Sequence, residues 1–569
     1  MYKDKYELWC EKATKDQDII DELKSMNGND ELISDAFYRD LEFGTAGLRG
    51  VIGAGTNRMN IYTVGQATQG LAAYINSVTA DGKVAIAYDS RIKSDVFAKA
   101  AAAIFAANGI KVYIYKELMP TPMLSFAVRY LKCDAGVVVT ASHNPAKYNG
   151  YKAYGADGCQ LGPEVADYVL SIMEKLDVFE DVKTTDFATA LNEGKIEYID
   201  EAVIEAYLTD VEKQRVSFDT DLSNLKVVYT PLHGSGNKPV RSILSRIGLK
   251  NLTVVSEQEL PDGNFPTAPY PNPEIRQAFE CALKLAKTVN PDLLLATDPD
   301  SDRVGIAIRL DDDYKLLSGN DVGALLLNYI LDRRTANGTM PKNPIAVKTI
   351  VSTEICAKIA DYYGCRLINV LTGFKFIGEQ ITLLEKSGEQ DRYVFGFEES
   401  YGYLAGDHVR DKDAVVASML ICEMTAYYKN LGKTLNDVLE ELYDKFGYYY
   451  CKQKSFVCEG QSGMERISAI MEDLHNSAPD FIDGEKVVKI NDYSKSVSTD
   501  TVSGEKTVID LPKSNVISYF LENGSSLIVR PSGTEPKIKL YIGAVGKTAS
   551  DAEQKLDSLE TAGVSLLGF

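Results

Sequence analysis

The sequence predicts an α/β protein of three successive α/β blocks followed by an α+β tail. Three observations carry this. Residues 83–117 read as strand, helix, strand; the same order returns over 226–256 and 345–370; and from about residue 455 the pattern changes to short alternating strands with one closing helix. Parallel strands need a crossover long enough to hold a helix, so a βαβ rhythm points to parallel sheets.

The elements follow in order. Residues 84–88 form an apolar strand; Ser94 is placed to cap a helix carrying Ala98, Ala101, Ala102, Ile104 and Phe105; Gly109 ends it and 110–115 is the next strand. In the second block a strand over 226–229 leads through Gly234-Ser235-Gly236 to a helix near 239–247 and a strand over 252–256. The third block has strands over 345–350 and 366–370 with a helix near 353–363 between them. The tail has an Asn523-Gly524 turn and a closing helix near 550–560. At 569 residues the chain exceeds one core, and at about 150 residues per domain three or four are expected. The divisions are placed at 1–205, 206–321, 322–450 and 451–569.

Composition narrows the function. The chain is 45% hydrophobic and 25% charged, with a net charge of −20. That balance disfavours a nucleic-acid partner, although a locally positive site can still take an anion. Nine scattered cysteines form no Cys-x-x-Cys pair, which removes the common zinc and dithiol readings and fits reduced thiols of a cytoplasmic protein. The first twenty residues lack the apolar core of a signal peptide, and no run is long enough to span a membrane.

Four apolar runs each deliver a loop rich in chemistry. Residues 135–139 lead into Thr140-Ala141-Ser142-His143-Asn144-Pro145; 293–297 into Asp298-Pro299-Asp300-Ser301-Asp302-Arg303; 393–396 toward Glu398-Glu399-Ser400; and 527–529 into Arg530-Pro531-Ser532-Gly533-Thr534-Glu535-Pro536-Lys537. Ligands bind beyond the carboxyl ends of strands in open α/β sheets. One loop offers a hydroxyl, one three carboxylates, one a sugar-holding surface and one an anion cradle. Together they describe phosphoryl transfer on a polyol.

Each loop has a blander reading. Asp298, Asp300 and Asp302 could be a solvated turn; as a metal site they offer the oxygen ligands Mg²⁺ requires. An EF-hand would need Gly and Glu at the sixth and twelfth positions, where Arg303 and Arg309 stand. Asp311-Asp312-Asp313 reads as a solvated turn. Ser142 lacks the Gly-x-Ser-x-Gly elbow of an acyl-transfer nucleophile, and a serine that carries phosphate fits better. Phosphoserine brings about −2, three aspartates −3 and Mg²⁺ +2, so a remainder of about −3 calls for cations, with Arg303, Lys152 and Arg49 as candidates. In the last loop Arg530 suits bidentate phosphate contact and Gly533 would let N–H groups face an anion. Gly432-Lys433-Thr434 and Gly546-Lys547-Thr548 are not Walker loops, because Tyr427 and Tyr541 occupy the first glycine position.

These motifs, together with Phe43-Gly44-Thr45-Ala46-Gly47-Leu48-Arg49-Gly50, resemble the phosphoglucomutase/phosphomannomutase (α-D-phosphohexomutase) family over nearly the whole length, in its longer branch. The resemblance implies three related α/β domains and a C-terminal TBP-like domain around a central cleft. It implies that Ser142 is phosphorylated and binds Mg²⁺ together with Asp298, Asp300 and Asp302. Glu398 and Ser400 would grip sugar hydroxyls. Arg530, Ser532, Gly533, Thr534 and Lys537 would hold the non-reacting phosphate, with Gly373 and Lys375 also on the substrate. Arg49, His143, Lys152, Arg303 and Lys412 would surround the transferring group. Pro299 and Ser301 stand where much of the family has glycine, and Phe374 where many bacterial phosphomannomutases have histidine, which favours a glucose phosphate.

The expected activity is therefore interconversion of glucose 1-phosphate and glucose 6-phosphate through glucose 1,6-bisphosphate, in the cytoplasm, by a monomer or dimer. Lys152, His143 or Lys412 could move the hydroxyl proton, Lys152 and Lys412 being favoured. Phosphopentomutase and phosphomannomutase share every motif. A metal-dependent phosphatase and a silent scaffold are the rivals of other classes.

Overall fold

Continuous apolar strands flanked by helices dominate the first two blocks. The computed structural model describes residues 2–44, 47–311, 313–458, 460–532 and 537–569. The chain divides into two units, one of residues 1–318, 377–393 and 400–432, the other of residues 319–376, 394–399 and 433–569.

The first unit opens with helices Tyr2–Lys12, Gln17–Met26 and Asp30–Phe37. Their apolar faces meet an aromatic cluster in which Trp9 lies edge-on to Phe37, Tyr62 and Phe179. A six-stranded sheet follows, ordered Leu48–Val51, Tyr148–Gly155, Ala135–Val139, Lys83–Tyr88, Lys111–Ile114, Ile196–Tyr198. Lys83–Tyr88 runs parallel to Lys111–Ile114 and Ala135–Val139, whereas Tyr148–Gly155 returns antiparallel to Ala135–Val139. Every residue of Ala135–Val139 is buried, as a strand covered on both faces requires. The second sheet repeats the plan in the order Asp313–Leu316, Val304–Leu310, Leu293–Thr297, Lys226–Thr230, Asn251–Val254. Leu293–Thr297 is parallel to Lys226–Thr230 and antiparallel to Val304–Leu310. In both sheets a buried parallel strand turns back through a short connection, and those two connections are the Ser142 loop and the aspartate loop.

Two local expectations change. Ser94 is the first residue of helix Ser94–Ala107 rather than its cap; Lys93 takes the cap position with φ 62°, and the Ser94 hydroxyl donates to Asp89 Oδ1 at 2.8 Å. The buried carboxylate makes the stronger demand on that hydroxyl. Helix Ala549–Leu566 runs further than its expected end near 560. Asp311 and Asp313 are exposed at a hairpin, and Asp312 lies outside the described residues.

In the second unit, strands Arg366–Val370, Ile345–Thr349 and Tyr393–Glu398 lie in that order, the first two parallel. Tyr393 itself belongs to the first unit. The tail is an antiparallel sheet ordered Tyr448–Val457, Lys537–Gly546, Ser526–Pro531, Ile517–Leu521, Glu485–Asp492, Val497–Asp500, Lys506–Val508. Helix residues Ile467, Met471, Leu474 and Leu559, with Leu567 just past the last helix, share its core with Leu527, Val529 and Leu540. Ile350, Val351 and Leu371 of the third block pack with Tyr493, Ile528 and Tyr541 of the tail. The helices Glu201–Glu212 and Gly319–Ala336 and the strand Tyr448–Val457 each run across one of the expected domain divisions.

Candidate active site

Ser142 is held from both sides. Thr140, the residue after strand Ala135–Val139, donates its hydroxyl to Asp89 Oδ2 at 2.6 Å and accepts the Ser142 N–H at 2.8 Å. Ser142 adopts φ 52°, the left-handed region that non-glycine residues avoid. A β-carbon at Gly150 would lie 2.4 Å from the Thr140 carbonyl, so the returning strand can approach this turn only with glycine there. The Ser142 hydroxyl donates to Asp298 Oδ2 at 2.8 Å and lies 3.2 Å from His143 Nδ1.

Asp298, Asp300 and Asp302 are buried, with one oxygen of each within 4.8 Å of the others. Asp298 Oδ1 accepts the N–H groups of Asp302 and Arg303 at 3.1 and 3.0 Å. Asp300 Oδ2 accepts from Lys152 Nζ at 2.7 Å and from the Thr121 hydroxyl at 2.9 Å. Asp302 Oδ2 takes Lys412 Nζ at 3.0 Å and Lys152 Nζ at 3.3 Å. Lys152 arrives on the strand that turns back from the Ser142 loop, opposite Val138. Ser301 takes φ 50°, so serine adopts the backbone expected of glycine there, and the Pro299 carbonyl accepts the Ser235 N–H at 2.8 Å. The oxygens Asp300 Oδ1 and Asp302 Oδ1 are buried with no hydrogen-bond partner. Buried orphan carboxylate oxygens are costly, and three carboxylates converging with spare lone pairs are what a hard divalent cation takes. The donor set fits Mg²⁺.

The electrostatics follow from this crowding. Burial, then the charges of Asp300 and Asp302, push the Asp298 carboxyl well above the usual carboxylate range. Burial would raise Asp300 too, but the Lys152 charge and hydrogen bond outweigh it and hold Asp300 low. Burial works against the Lys152 ammonium, yet Asp300 and Asp302 outweigh it and its pKa is raised. For His143, burial and then the cations Arg303 and Arg49 lower the pKa well below 6.5, leaving a neutral ring at neutral pH.

Of the remaining first-unit candidates, Arg49, Arg303 and Lys412 lie around this centre. Arg49 Nη1 donates to Asn144 Oδ1 at 3.3 Å. Arg303 pairs with Glu274. Lys412 Nζ also contacts Asp411 Oδ1 at 3.2 Å, and Asp411 accepts the Tyr154 hydroxyl at 2.7 Å. Ser400 is half-buried in the same unit.

The other candidates belong to the second unit. Glu398 is buried. Glu399 accepts the Thr349 hydroxyl at 3.0 Å, and burial raises its pKa. Arg530 donates to the Thr372 hydroxyl, next to Gly373, whose φ is +113°. Lys375 Nζ lies 4.9 Å from the Phe376 ring centre. The Ser532 N–H donates to the Lys537 carbonyl at 2.7 Å, so the ends of the last loop meet. Gly533 and Thr534 lie outside the described residues.

Sequence reasoning passed over three buried residues: Arg91, which touches Ser142, Thr121, which touches Asp300, and Asp411, which touches Lys412. The first carried a faint signal: Asp89-Ser90-Arg91 follows an apolar strand as the other loops do.

The fold and site define a class first: an α/β protein that sets a serine hydroxyl beside a buried carboxylate trio able to hold a cation, at the ends of parallel strands. Residues 40–179, 205–311 and 318–446 match phosphoglucomutase/phosphomannomutase alpha/beta/alpha domains I, II and III, and residues 464–557 match the C-terminal domain. The chain belongs to this family. It is 38% identical over 511 residues to a phosphoglucomutase of Staphylococcus haemolyticus (strain JCSC1435), covering 89% of this chain and 90% of that one. It is 37% identical over 554 residues to a phosphoglucomutase of Staphylococcus aureus (strain bovine RF122 / ET3-1), covering 97% and 98%. In fold it resembles the crystal structure of a putative phosphomannomutase from Thermus thermophilus, with a TM-score of 0.69 at 22% identity, covering 93% of this chain and all of that one.

Proposed function

We infer that the protein is a phosphoglucomutase, an isomerase that interconverts glucose 1-phosphate and glucose 6-phosphate through a phosphoserine. The observation that carries this is the Ser142 hydroxyl 2.8 Å from Asp298, within a buried carboxylate trio served by two lysines. Phosphoserine 142 gives its phosphoryl group to the free sugar hydroxyl; the resulting glucose 1,6-bisphosphate turns over and returns its other phosphoryl group to Ser142. Phosphoryl transfer asks a protein mainly for alignment and charge neutralisation. Arg49, Arg303, Lys152 and Lys412 neutralise the transferring group. Asp298, Asp300, Asp302 and Ser142 would hold Mg²⁺, which supplies Lewis-acid charge stabilisation. Lys152 and Lys412 move the hydroxyl proton, one in each direction; because its ion pairs hold Lys152 charged in the free chain, it acts first as acid toward the serine oxygen. The neutral His143 beside that oxygen is the alternative carrier. Glu398 and Ser400 grip the sugar hydroxyls, while Arg530, Ser532, Gly533, Thr534, Lys537, Gly373 and Lys375 hold the distal phosphate end.

The domain divisions stay at 205, 321 and 450. We place the enzyme in the cytoplasm, as a monomer or dimer without nucleic-acid or membrane partners. Its net charge of −20 supports the former exclusion. Among the described residues no helix is long and apolar enough to cross a membrane.

Ser142→Ala tests the mechanism: turnover should fall by at least about 10⁴-fold while calorimetry still detects sugar-phosphate binding. Full activity in that variant ends the phosphoserine reading. A coupled assay on glucose, mannose and ribose 1-phosphates tests the sugar, with glucose expected to give the highest kcat/KM. A preference for mannose or ribose would make the enzyme a phosphomannomutase or phosphopentomutase of the same mechanism.

A further inference from the structure

We propose that Arg91 is a positioning residue for Ser142 and that Phe265 is the plate that holds it, a proposal that rests on the phosphoserine reading above. The Arg91 side chain is fully buried at the end of strand Lys83–Tyr88. Its Nη2 donates to the Ser142 carbonyl at 2.5 Å and to the Asn144 carbonyl; its Nη1 donates to the Pro145 and Tyr148 carbonyls, each at 3.0 Å. Its Nε faces Asp89 Oδ2 at 3.4 Å. One guanidinium thus gathers four carbonyl oxygens of the loop that carries the nucleophile.

The consequence for Ser142 is geometric. Its N–H is tied to the Thr140 hydroxyl and its C=O to Arg91, so the peptide planes on both sides of its α-carbon are fixed. Those two planes set φ at 52° and with it the direction in which the hydroxyl leaves the backbone. A left-handed serine persists only where its surroundings over-determine it. A planar fork sends four N–H groups to four carbonyls while its charge stays beside Asp89; an ammonium has three donors and no fixed plane.

Phe265 carries the second half. The Arg91 guanidinium carbon lies 5.0 Å from its ring centre, a cation–π distance. Phe265 is wholly buried and has φ 46°, a costly conformation for a bulky side chain. The segment that carries it is pressed against the Arg91 backbone: a β-carbon on Gly263 would lie 2.5 Å from Ile92 N. Strain in Phe265, stacking on Arg91 and strain in Ser142 form one continuous chain of contacts from the second block to the nucleophile.

The test uses the full-length enzyme as Arg91→Met, Arg91→Lys and Phe265→Leu. Arg91→Met should lower kcat about 100-fold, the scale of a misplaced reacting atom, with KM for glucose 1-phosphate held within about threefold. Arg91→Lys should recover little, because charge returns without the fork. Phe265→Leu should lower kcat about tenfold through loss of the stacking. Hydrogen exchange should rise in the amides of 142–148 in all three variants while the strand over 135–139 stays protected. A kcat within about threefold of wild type, a KM that rises in step with the loss, or equal exposure of 135–139 would overturn the proposal. If Arg91→Met does not fold, the other two variants decide by the same readouts. If the wild-type enzyme does not turn over glucose 1-phosphate, the mutase reading falls, and the exchange pattern alone still decides whether Arg91 orders the loop.

Discussion

His143 illustrates how the site sets a charge state. Its ring touches the Ser142 hydroxyl, and burial with Arg303 and Arg49 nearby lowers its pKa well below 6.5. The sign of the linkage follows. The unfolded chain takes up a proton near 6.5 while the folded ring stays neutral, so stability falls as pH drops below that value. His143→Gln should flatten the decline in urea midpoint between about pH 7 and pH 5. An unchanged slope would mean that the folded ring protonates normally. Lys152 poses the opposite case, a buried cation whose partners outweigh its desolvation. Lys152→Met leaves Asp300 and Asp302 short of a counter-charge, and breaking such a buried pair costs about 3–5 kcal/mol. Denaturant unfolding without Mg²⁺ should show that loss, and added Mg²⁺ should recover much of it.

At the scale of elements, the Ser142 loop and the aspartate loop of the first unit are both tight connections from a buried parallel strand to an antiparallel return. Their precision depends on what packs behind them. Gly234 lies against the aspartate loop so closely that a β-carbon would sit 2.5 Å from Pro299 Cα. Gly234→Ala must push that backbone, so kcat/KM should fall about 100-fold for a stability loss of about 1–3 kcal/mol. Wild-type activity in that variant would show the loop to be more tolerant than its packing implies. Helix Phe374–Lys386 offers a second case in Glu385, which accepts from Arg129 at 2.8 and 3.1 Å and from Arg410 at 2.7 Å. The Arg129 hydrogen bonds, with the charges of both arginines, lower its pKa from 4.5 to about 2. A depressed carboxylate stabilises above its unfolded pKa and loses that contribution as pH falls from 4.5 toward about 2. Its side chain is 40% exposed, and screening reduces the contribution to about 1 kcal/mol. Glu385→Gln should therefore cost about that much at pH 7 in urea unfolding, with the gap to wild type narrowing below pH 4.5.

At the scale of the whole molecule, the first unit collects its candidate site from residues 49 to 412, across three blocks of sequence. Filling the carboxylate trio should therefore stabilise this unit as a body. Mg²⁺ at about one hundred times its dissociation constant should add about 2.7 kcal/mol and raise the melting temperature. Asp298→Asn combined with Asp300→Asn should abolish that shift along with activity; a shift that persists would place the ion elsewhere. The second unit has its own packing centre in the cluster of Ile350, Val351, Leu371, Tyr493, Ile528 and Tyr541. Ile528→Ala should cost about 2–5 kcal/mol in unfolding, as buried aliphatic truncations do.

The strands, the hydroxyl loop, the trio of acids and the missing Walker loop were legible in the residues alone, because apolar runs and acid spacing are local patterns. Lys152 and Lys412 were legible as cations but not as partners of Asp300 and Asp302, since nothing local links residues so far apart. Arg91 was legible only as a charged residue just past an apolar strand, and Phe265 not at all. An arginine that recognises backbone carbonyls leaves no complementary side chain in the sequence, and a phenylalanine at positive φ looks like any other core residue. Side-chain chemistry was written in the order of the residues; the direction in which the Ser142 hydroxyl points was decided by tertiary packing, because backbone conformation there is set by groups from other strands.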